Sequence, residues 1–144
     1  LRKTTGCKIV ALTHLDEYVK SDEDYADETP YNIDPADFLN LIRNAEYVCT
    51  DSFHCSVFSI LYKRQFFTFR RYNRNTKQST NSRLDTLFHM AGIKGRLLTG
   101  KENISECLKI ETDFEKVHKN LEEIRQKSYE YLITALKDEG NTDL

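Results

Sequence analysis

Four polar side chains that can move protons or hold an anion, Asp51, Ser52, His54 and Ser56, fall within the seven residues TDSFHCS (50–56). Apolar residues flank them, AEYVC before and VFSILY after. The pattern is that of a buried strand giving way to a buried helix through a polar turn. The first backbone N–H groups of such a helix lack intrahelical partners, and its dipole adds partial positive charge. An anion, phosphate above all, is the natural occupant. Ser52 is placed to cap the helix or to lend its hydroxyl to a ligand. Asp51, itself an anion, is expected to orient His54 or to bind an acceptor hydroxyl. His54 lies in the first turn, within reach of the same anion. A bound phosphate would favour its imidazolium form and make it a proton donor. The competing reading of His54 is a core histidine bonded to a backbone carbonyl, and the spacing alone admits both.

The charge pattern points to the same region. From Asp16 to Asp51 there are eleven acidic residues against Lys20 and Arg43. From Ser52 to Leu84 there is no acid, against the seven cations Lys63, Arg64, Arg70, Arg71, Arg74, Lys77 and Arg83. Such a segment attracts anions. The stretch FRRYNRNTKQSTNSR (69–83) interleaves Arg with Tyr and Asn, but the near-neutral chain has no second basic face, so nucleic acid is not the expected partner. With no Gly-rich loop, the turn resembles neither a P-loop nor a dinucleotide fingerprint. His14 ends the first apolar run and is expected near the same crevice, whereas His89 and His118 read as packing residues.

The elements that must carry these groups follow from periodicity. CKIVALT (7–13), EYVCT (46–50) and QFFTF (65–69) are continuous β-favouring runs, the mark of strands covered on both faces. RLL (96–98) is a further short strand, and YNI (31–33) an edge strand. Asp34-Pro35 opens a helix whose Phe38, Leu41, Ile42 and Ala45 share one face. Residues 53–62 form a short helix apolar nearly all round. Ser82 caps the next helix, which stops at Gly92. A Thr112-x-x-Glu115 capping box opens the last, expected to run about 38 Å, longer than its own sheet needs. Glu115–Lys119 and Glu123–Lys127 would support its wet side. Alternating strands and helices predict a single α/β domain over 1–144 with a Rossmann-like parallel sheet and flanking helices. In such sheets ligands bind at the carboxyl ends of the strands, which is where TDSFHCS falls.

Length and composition bound the rest. A chain of 144 residues, 39% hydrophobic and 31% charged, is a folded domain with a real core rather than a disordered segment. No apolar run approaches the roughly 18 residues that span a bilayer. The four cysteines, Cys7, Cys49, Cys55 and Cys107, form no CxxC pair, and a site of Cys49, His54 and Cys55 matches no common zinc spacing. No metal is expected. Reduced thiols, with Cys7 and Cys49 as small hydrophobes in strands, suit a cytoplasmic location. The chain opens almost directly on a strand without Met, which reads as a piece of a longer protein.

DPADFLNLIRNAEYVCTDSFHCSVFSILYKRQFFTF (34–69) resembles the polysaccharide pyruvyl transferase family in its C-terminal half. That family has a helix ending in Asn-Ala, a strand, Thr-(Asp/Asn)-Ser-Phe-His-Gly, then Phe-Ser and a strand beginning near a Phe. NSRLDTLFHMAGIKGR (81–96) and QKSYEYLITAL (126–136) resemble its later segments. The resemblance implies the C-terminal, donor-binding half of a two-domain GT-B-like enzyme. Such an enzyme transfers the enolpyruvyl group of phosphoenolpyruvate to a sugar, forming a pyruvate ketal in cell-surface or exopolysaccharide synthesis. Phosphoenolpyruvate is then the donor substrate, and no separate cofactor is implied. The partners implied are a glycan or lipid-linked sugar acceptor and the N-terminal domain of the same chain, with peripheral membrane association of the full-length protein. His54 matches the motif histidine, as general acid or as phosphate ligand. Arg83 falls at the basic position opening the later helix. Ser52, Phe53, Asp51 and Arg70 complete the expected substrate-binding set.

Two positions depart from the family pattern. Cys55 replaces the motif glycine and is expected to narrow a ligand's approach to the backbone. Ser52 stands where some branches have Arg, shifting phosphate binding toward the backbone, Arg83 and Arg70 or Arg71. Two other classes remain as rivals: a nucleotide-sugar-dependent GT-B glycosyltransferase and a non-catalytic α/β interaction module.

Overall fold

Three strands, Tyr47–Thr50 (β1), Gln65–Phe69 (β2) and Leu97–Leu98 (β3), form a parallel sheet in the order β1-β2-β3. Tyr47 lies opposite Gln65, Thr50 opposite Thr68 and Phe69 opposite Leu98. The computed structural model describes residues 1–12, 20, 24–70 and 81–139. His14, most of the acidic segment and Arg71, Arg74 and Lys77 lie outside the described residues. The helices are α1 (Arg2–Thr5), α2 (Pro35–Asn44), α3 (Phe53–Leu61), α4 (Asn81–Ala91), α5 (Ile104–Leu108) and α6 (Phe114–Glu139). Among the described residues no helix is long and apolar enough to cross a membrane.

Neighbouring residues of a strand face opposite sides of the sheet, so Phe66 and Phe67 open two separate cores. Phe66 packs with Val48 of β1 and with Ile42, Leu84, Phe88 and Val117 of α2, α4 and α6. Phe67 packs with Leu98 and Cys107, backed by Leu1, Ile104 and Leu108 beside α1 and α5. Both phenyl rings are fully buried. The domain is therefore α/β with helices on both faces, as the alternating pattern predicts.

Local chemistry explains the helix ends. Asp34 caps α2 by accepting the Asp37 N–H at 2.7 Å, and Pro35 takes the first position. Gly92 ends α4 at φ 70, where Asn120 approaches so closely that an added Cβ would stand 2.6 Å from its Nδ2. That amide is held in place by the Ala91 carbonyl at 3.1 Å. His118 packs α6 against α3, its Nε2 lying 2.8 Å from the Ile60 carbonyl oxygen.

Four expectations are corrected. Residues 7–12 form no strand of the sheet; they make one parallel bridge, Val10 with Glu28. The Ile9 N–H donates to the Asp27 carboxylate, while Arg2 and Lys8 pair with Asp27 and Glu28. Backbone bonds between Ile9, Ala11, Asp27 and Glu28, flanked by these ion pairs, hold this segment on the acidic one and leave Val10 and Leu12 exposed. The edge strand at 31–33 is replaced by a turn with Asn32 at φ 59, a left-handed value no strand accommodates. Ser82 lies inside α4 rather than capping it, its carbonyl accepting the Thr86 hydroxyl. Asp113 caps α6 through the Lys116 N–H at 3.1 Å, because the Thr112 hydroxyl is taken by Arg96 and Glu115 turns to Lys63. Cysteine burial also differs: Cys49 is exposed, and Cys55 and Cys107 are the buried thiols. The 26 residues of α6 span about 39 Å, and past Ile124 its Tyr129, Tyr131, Leu132 and Leu136 are exposed.

The amino end of the sheet is sealed by Arg96, only 1% exposed. Its guanidinium stacks 4.7 Å above the Phe67 ring and donates to Gln65 Oε1, the Ile110 carbonyl and Thr112 Oγ1. Nη1 has no hydrogen-bond partner among the described residues, and burial pulls the group below the usual arginine range. One planar fork joins β2, β3 and the entry to α6, a geometry a single ammonium cannot reproduce. Arg96→Lys is therefore expected to lower the unfolding free energy by about 2–3 kcal/mol in urea denaturation, without changing the fold.

Candidate functional site

At the carboxyl end of β1 the chain turns through Asp51 and Ser52 into α3. The turn is fixed by hydroxyls. Thr50 Oγ1 accepts the Ser52 N–H at 3.0 Å, and Ser52 Oγ accepts the Cys55 N–H at 3.4 Å as the N-cap of α3. The Ser52 carbonyl takes both the N–H and the hydroxyl of Ser56, at 3.1 and 2.8 Å. Ser56 Oγ lies 2.8 Å from Thr68 Oγ1, and both residues are fully buried. Because the Ser56 proton goes to the Ser52 carbonyl, Thr68 is the donor in that second bond. The start of α3 is thus tied to the middle strand.

The four polar groups of the turn divide into two kinds. Ser52 and Ser56 are structural, one capping and one anchoring. Asp51 and His54 are exposed. The alternative of a core His54 does not hold, since the imidazole stands outside the core with its ring edge-on to Phe53, 5.7 Å between centroids at 83°. Phe53, half buried, packs against the main core and also carries Arg83 over its ring. The Arg83 guanidinium carbon lies 5.5 Å from the Phe53 ring centroid. One phenyl ring therefore carries an imidazole and a guanidinium contributed by residues 29 positions apart. Among the described residues neither polar group makes a hydrogen bond.

Cys55, at the position of the motif glycine, points inward. Its side chain is buried and belongs to the main core cluster. Burial pushes the thiol up from its ordinary range, partly opposed by hydrogen bonds with Thr50 and Ser59. It stays a neutral packing group.

Arg70 stands at the carboxyl end of β2 but is committed elsewhere. Its two terminal nitrogens grip both oxygens of Asp85, at 3.0 and 2.5 Å, and its N–H donates to the Leu98 carbonyl. The Asp85 hydrogen bonds raise the guanidinium above its ordinary value. Asp85 was not expected to matter from its spacing. A signal was nonetheless available: between Ser52 and Lys101 it is the one acidic residue.

Beyond β3, the chain closes its own anion cradle. The Glu102 carboxylate accepts the N–H groups of Thr99, Gly100 and Lys101 and the Thr99 hydroxyl, at 2.8–3.1 Å. These bonds, that of the Thr99 amide foremost, hold its carboxyl down at about 2.

A family model described as polysaccharide pyruvyl transferase matches residues 2–73, half of the chain. The match takes in β1, the polar turn, α3, β2 and Arg70, and α4 with Arg83 lies outside it. No curated protein and no solved structure matches the chain.

The Glu102 cradle makes the pH dependence of stability predictable. A carboxylate held below its unfolded value of 4.5 stabilises the fold above that value and stops doing so as pH falls to about 2. Glu102→Gln should accordingly lower the urea midpoint at pH 7. Its difference from the unmutated chain should shrink from pH 4.5 downward and vanish near pH 2.

Proposed function

The chain belongs to the polysaccharide pyruvyl transferase family, and on that premise we propose that it forms the donor-binding domain of a two-domain, GT-B-like enzyme. The enzyme transfers the enolpyruvyl group of phosphoenolpyruvate to a sugar during cell-surface or exopolysaccharide synthesis, in the cytoplasm. The acceptor is a glycan or a lipid-linked sugar, and the N-terminal domain supplies the facing wall of the cleft. Acting on a lipid-linked acceptor would bring the full-length protein to the membrane surface.

The observation that supports this reading is the pairing of His54 and Arg83 on one phenyl ring, over the first turn of a helix that leaves a parallel strand. The donor carries a phosphate and a carboxylate. An amide-rich helix end receives one and an arginine fork the other. Ketal formation needs a proton added to the methylene carbon, which becomes the methyl group. Two sugar hydroxyls then form bonds to the adjacent carbon, the bond from that carbon to the phosphate oxygen breaks, and inorganic phosphate leaves. His54, protonated beside a bound phosphate, is the candidate proton donor or phosphate ligand. Asp51, exposed on the same turn, is the candidate partner for an acceptor hydroxyl. Ser52 contributes by shaping the helix end.

Calorimetric titration of the intact enzyme with phosphoenolpyruvate tests the assignment. Saturable binding is expected, weakened about 10- to 100-fold by His54→Ala or Arg83→Gln, since each removes a charge-assisted hydrogen bond worth about 1.5–3 kcal/mol. Absence of binding, or affinity indifferent to both substitutions, would overturn it. Binding of a nucleotide sugar in place of phosphoenolpyruvate would move the enzyme to the glycosyltransferases.

A further inference from the structure

The geometry points to Asp85 as the positioning residue that aims Arg83 across the Phe53 ring; the functional part of this inference rests on the donor site proposed above. Asp85 is the single acid between Ser52 and Lys101, a stretch holding ten cations. It pairs with the cation at the end of the central strand, through both carboxylate oxygens. Surface ion pairs contribute little as a rule, but a bidentate fork on an anchored arginine fixes orientation as well as distance. Arg70 is so anchored: its side chain is 20% exposed and its backbone N–H is bonded to Leu98.

The helical repeat turns that anchor into a direction. Successive residues of a helix are about 100° apart, so Arg83 and Asp85 flank Leu84 on opposite sides. Leu84 is buried, and so is Phe88 one turn later, which fixes the inward ridge of α4. Asp85 holds one flank to the end of β2, and the other flank then carries Arg83 over α3. Two side contacts and one buried ridge define the rotation of the first turn of α4. The same pair engages Arg70 and leaves Arg83 as the guanidinium over the Phe53 ring.

A double-mutant cycle on the intact enzyme tests this, with phosphoenolpyruvate affinity as one readout. Asp85→Ala is expected to weaken binding about fivefold where Arg83 is present and to leave affinity within about twofold where Arg83 is already Gln. Asp85→Glu should restore most of the loss. The second readout needs no donor: the Arg83 side-chain Nε–H resonance, displaced by the ring current of Phe53, should move toward the ordinary arginine position in Asp85→Ala. Equal weakening in both backgrounds would show a merely structural role and overturn the inference. Tighter binding on Asp85→Ala would overturn it too, since Asp85 would then be restraining Arg70. An unmoved resonance would do the same. Failure of the unmutated enzyme to bind phosphoenolpyruvate would remove the donor reading, while the resonance would still decide whether Asp85 sets Arg83.

Discussion

A hydrogen bond between two buried hydroxyls, Ser56 and Thr68, fixes where everything at the carboxyl edge can stand. A polar pair in a core costs free energy unless every donor is used, and here each is: Thr68 donates to Ser56, and Ser56 to the Ser52 carbonyl. The bond therefore has one satisfactory arrangement, with α3 beginning directly above β2. Its consequences run outward along the first turn. Ser56 sets Ser52, Ser52 caps the helix, and the next two residues are Phe53 and His54. Phe53 cannot drift because it packs on the main core, and His54 inherits its place.

The two stacked arginines show how one side chain does opposite work at the two ends of a sheet. Arg96 lies over Phe67 with three neutral acceptors around it and no solvent. Arg83 lies over Phe53 at a similar distance, exposed, with no hydrogen bond among the described residues. The ring serves both by orienting a planar cation without consuming its N–H donors. At the amino end those donors bind the protein itself, and the cation becomes part of the core. At the carboxyl end no described residue accepts from them. The strand directions alone decide which end is which, since only the carboxyl ends lead into an outward-facing helix start.

Much of this was legible in the residues. β1, β2 and α3 are runs whose β-favouring or apolar character fits nothing else, and the Asp34-Pro35 and Gly92 signals mark helix ends by mechanisms that act within a few residues. The turn at 50–56 was legible as a polar strand-to-helix junction for the same reason. What escaped depended on distant partners. CKIVALT has the composition of a buried strand, yet its backbone bonds go to residues 27 and 28, where Arg2 and Lys8 also find Asp27 and Glu28. Thr112 has the pattern of a cap, yet a guanidinium sixteen residues earlier claims its hydroxyl, and the cap passes to Asp113. Cys55 shows the same limit: sequence gives its position in the motif but not the side of the helix on which core atoms wait.

The basic stretch shows the same limit for charge. Counted along the chain, Arg70 and Arg83 are equivalent cations in an acid-free run, and both look available to a phosphate. In space one acid just beyond the run separates them, because Asp85 reaches back to Arg70 from the helix that carries Arg83. A run of like charge attracts anions in proportion to what is left unpaired, not to what is counted. Which of the two arginines is paired is therefore set by a helix rotation. Moving Asp85 by one position would place its carboxylate about 100° around α4, away from Arg70, with no change in composition or net charge. Two chains alike in every bulk property would then present different cations to the same helix end. The charge pattern leaves Arg70 and Arg83 alike, and the register of one carboxylate on α4 determines which of them it pairs with.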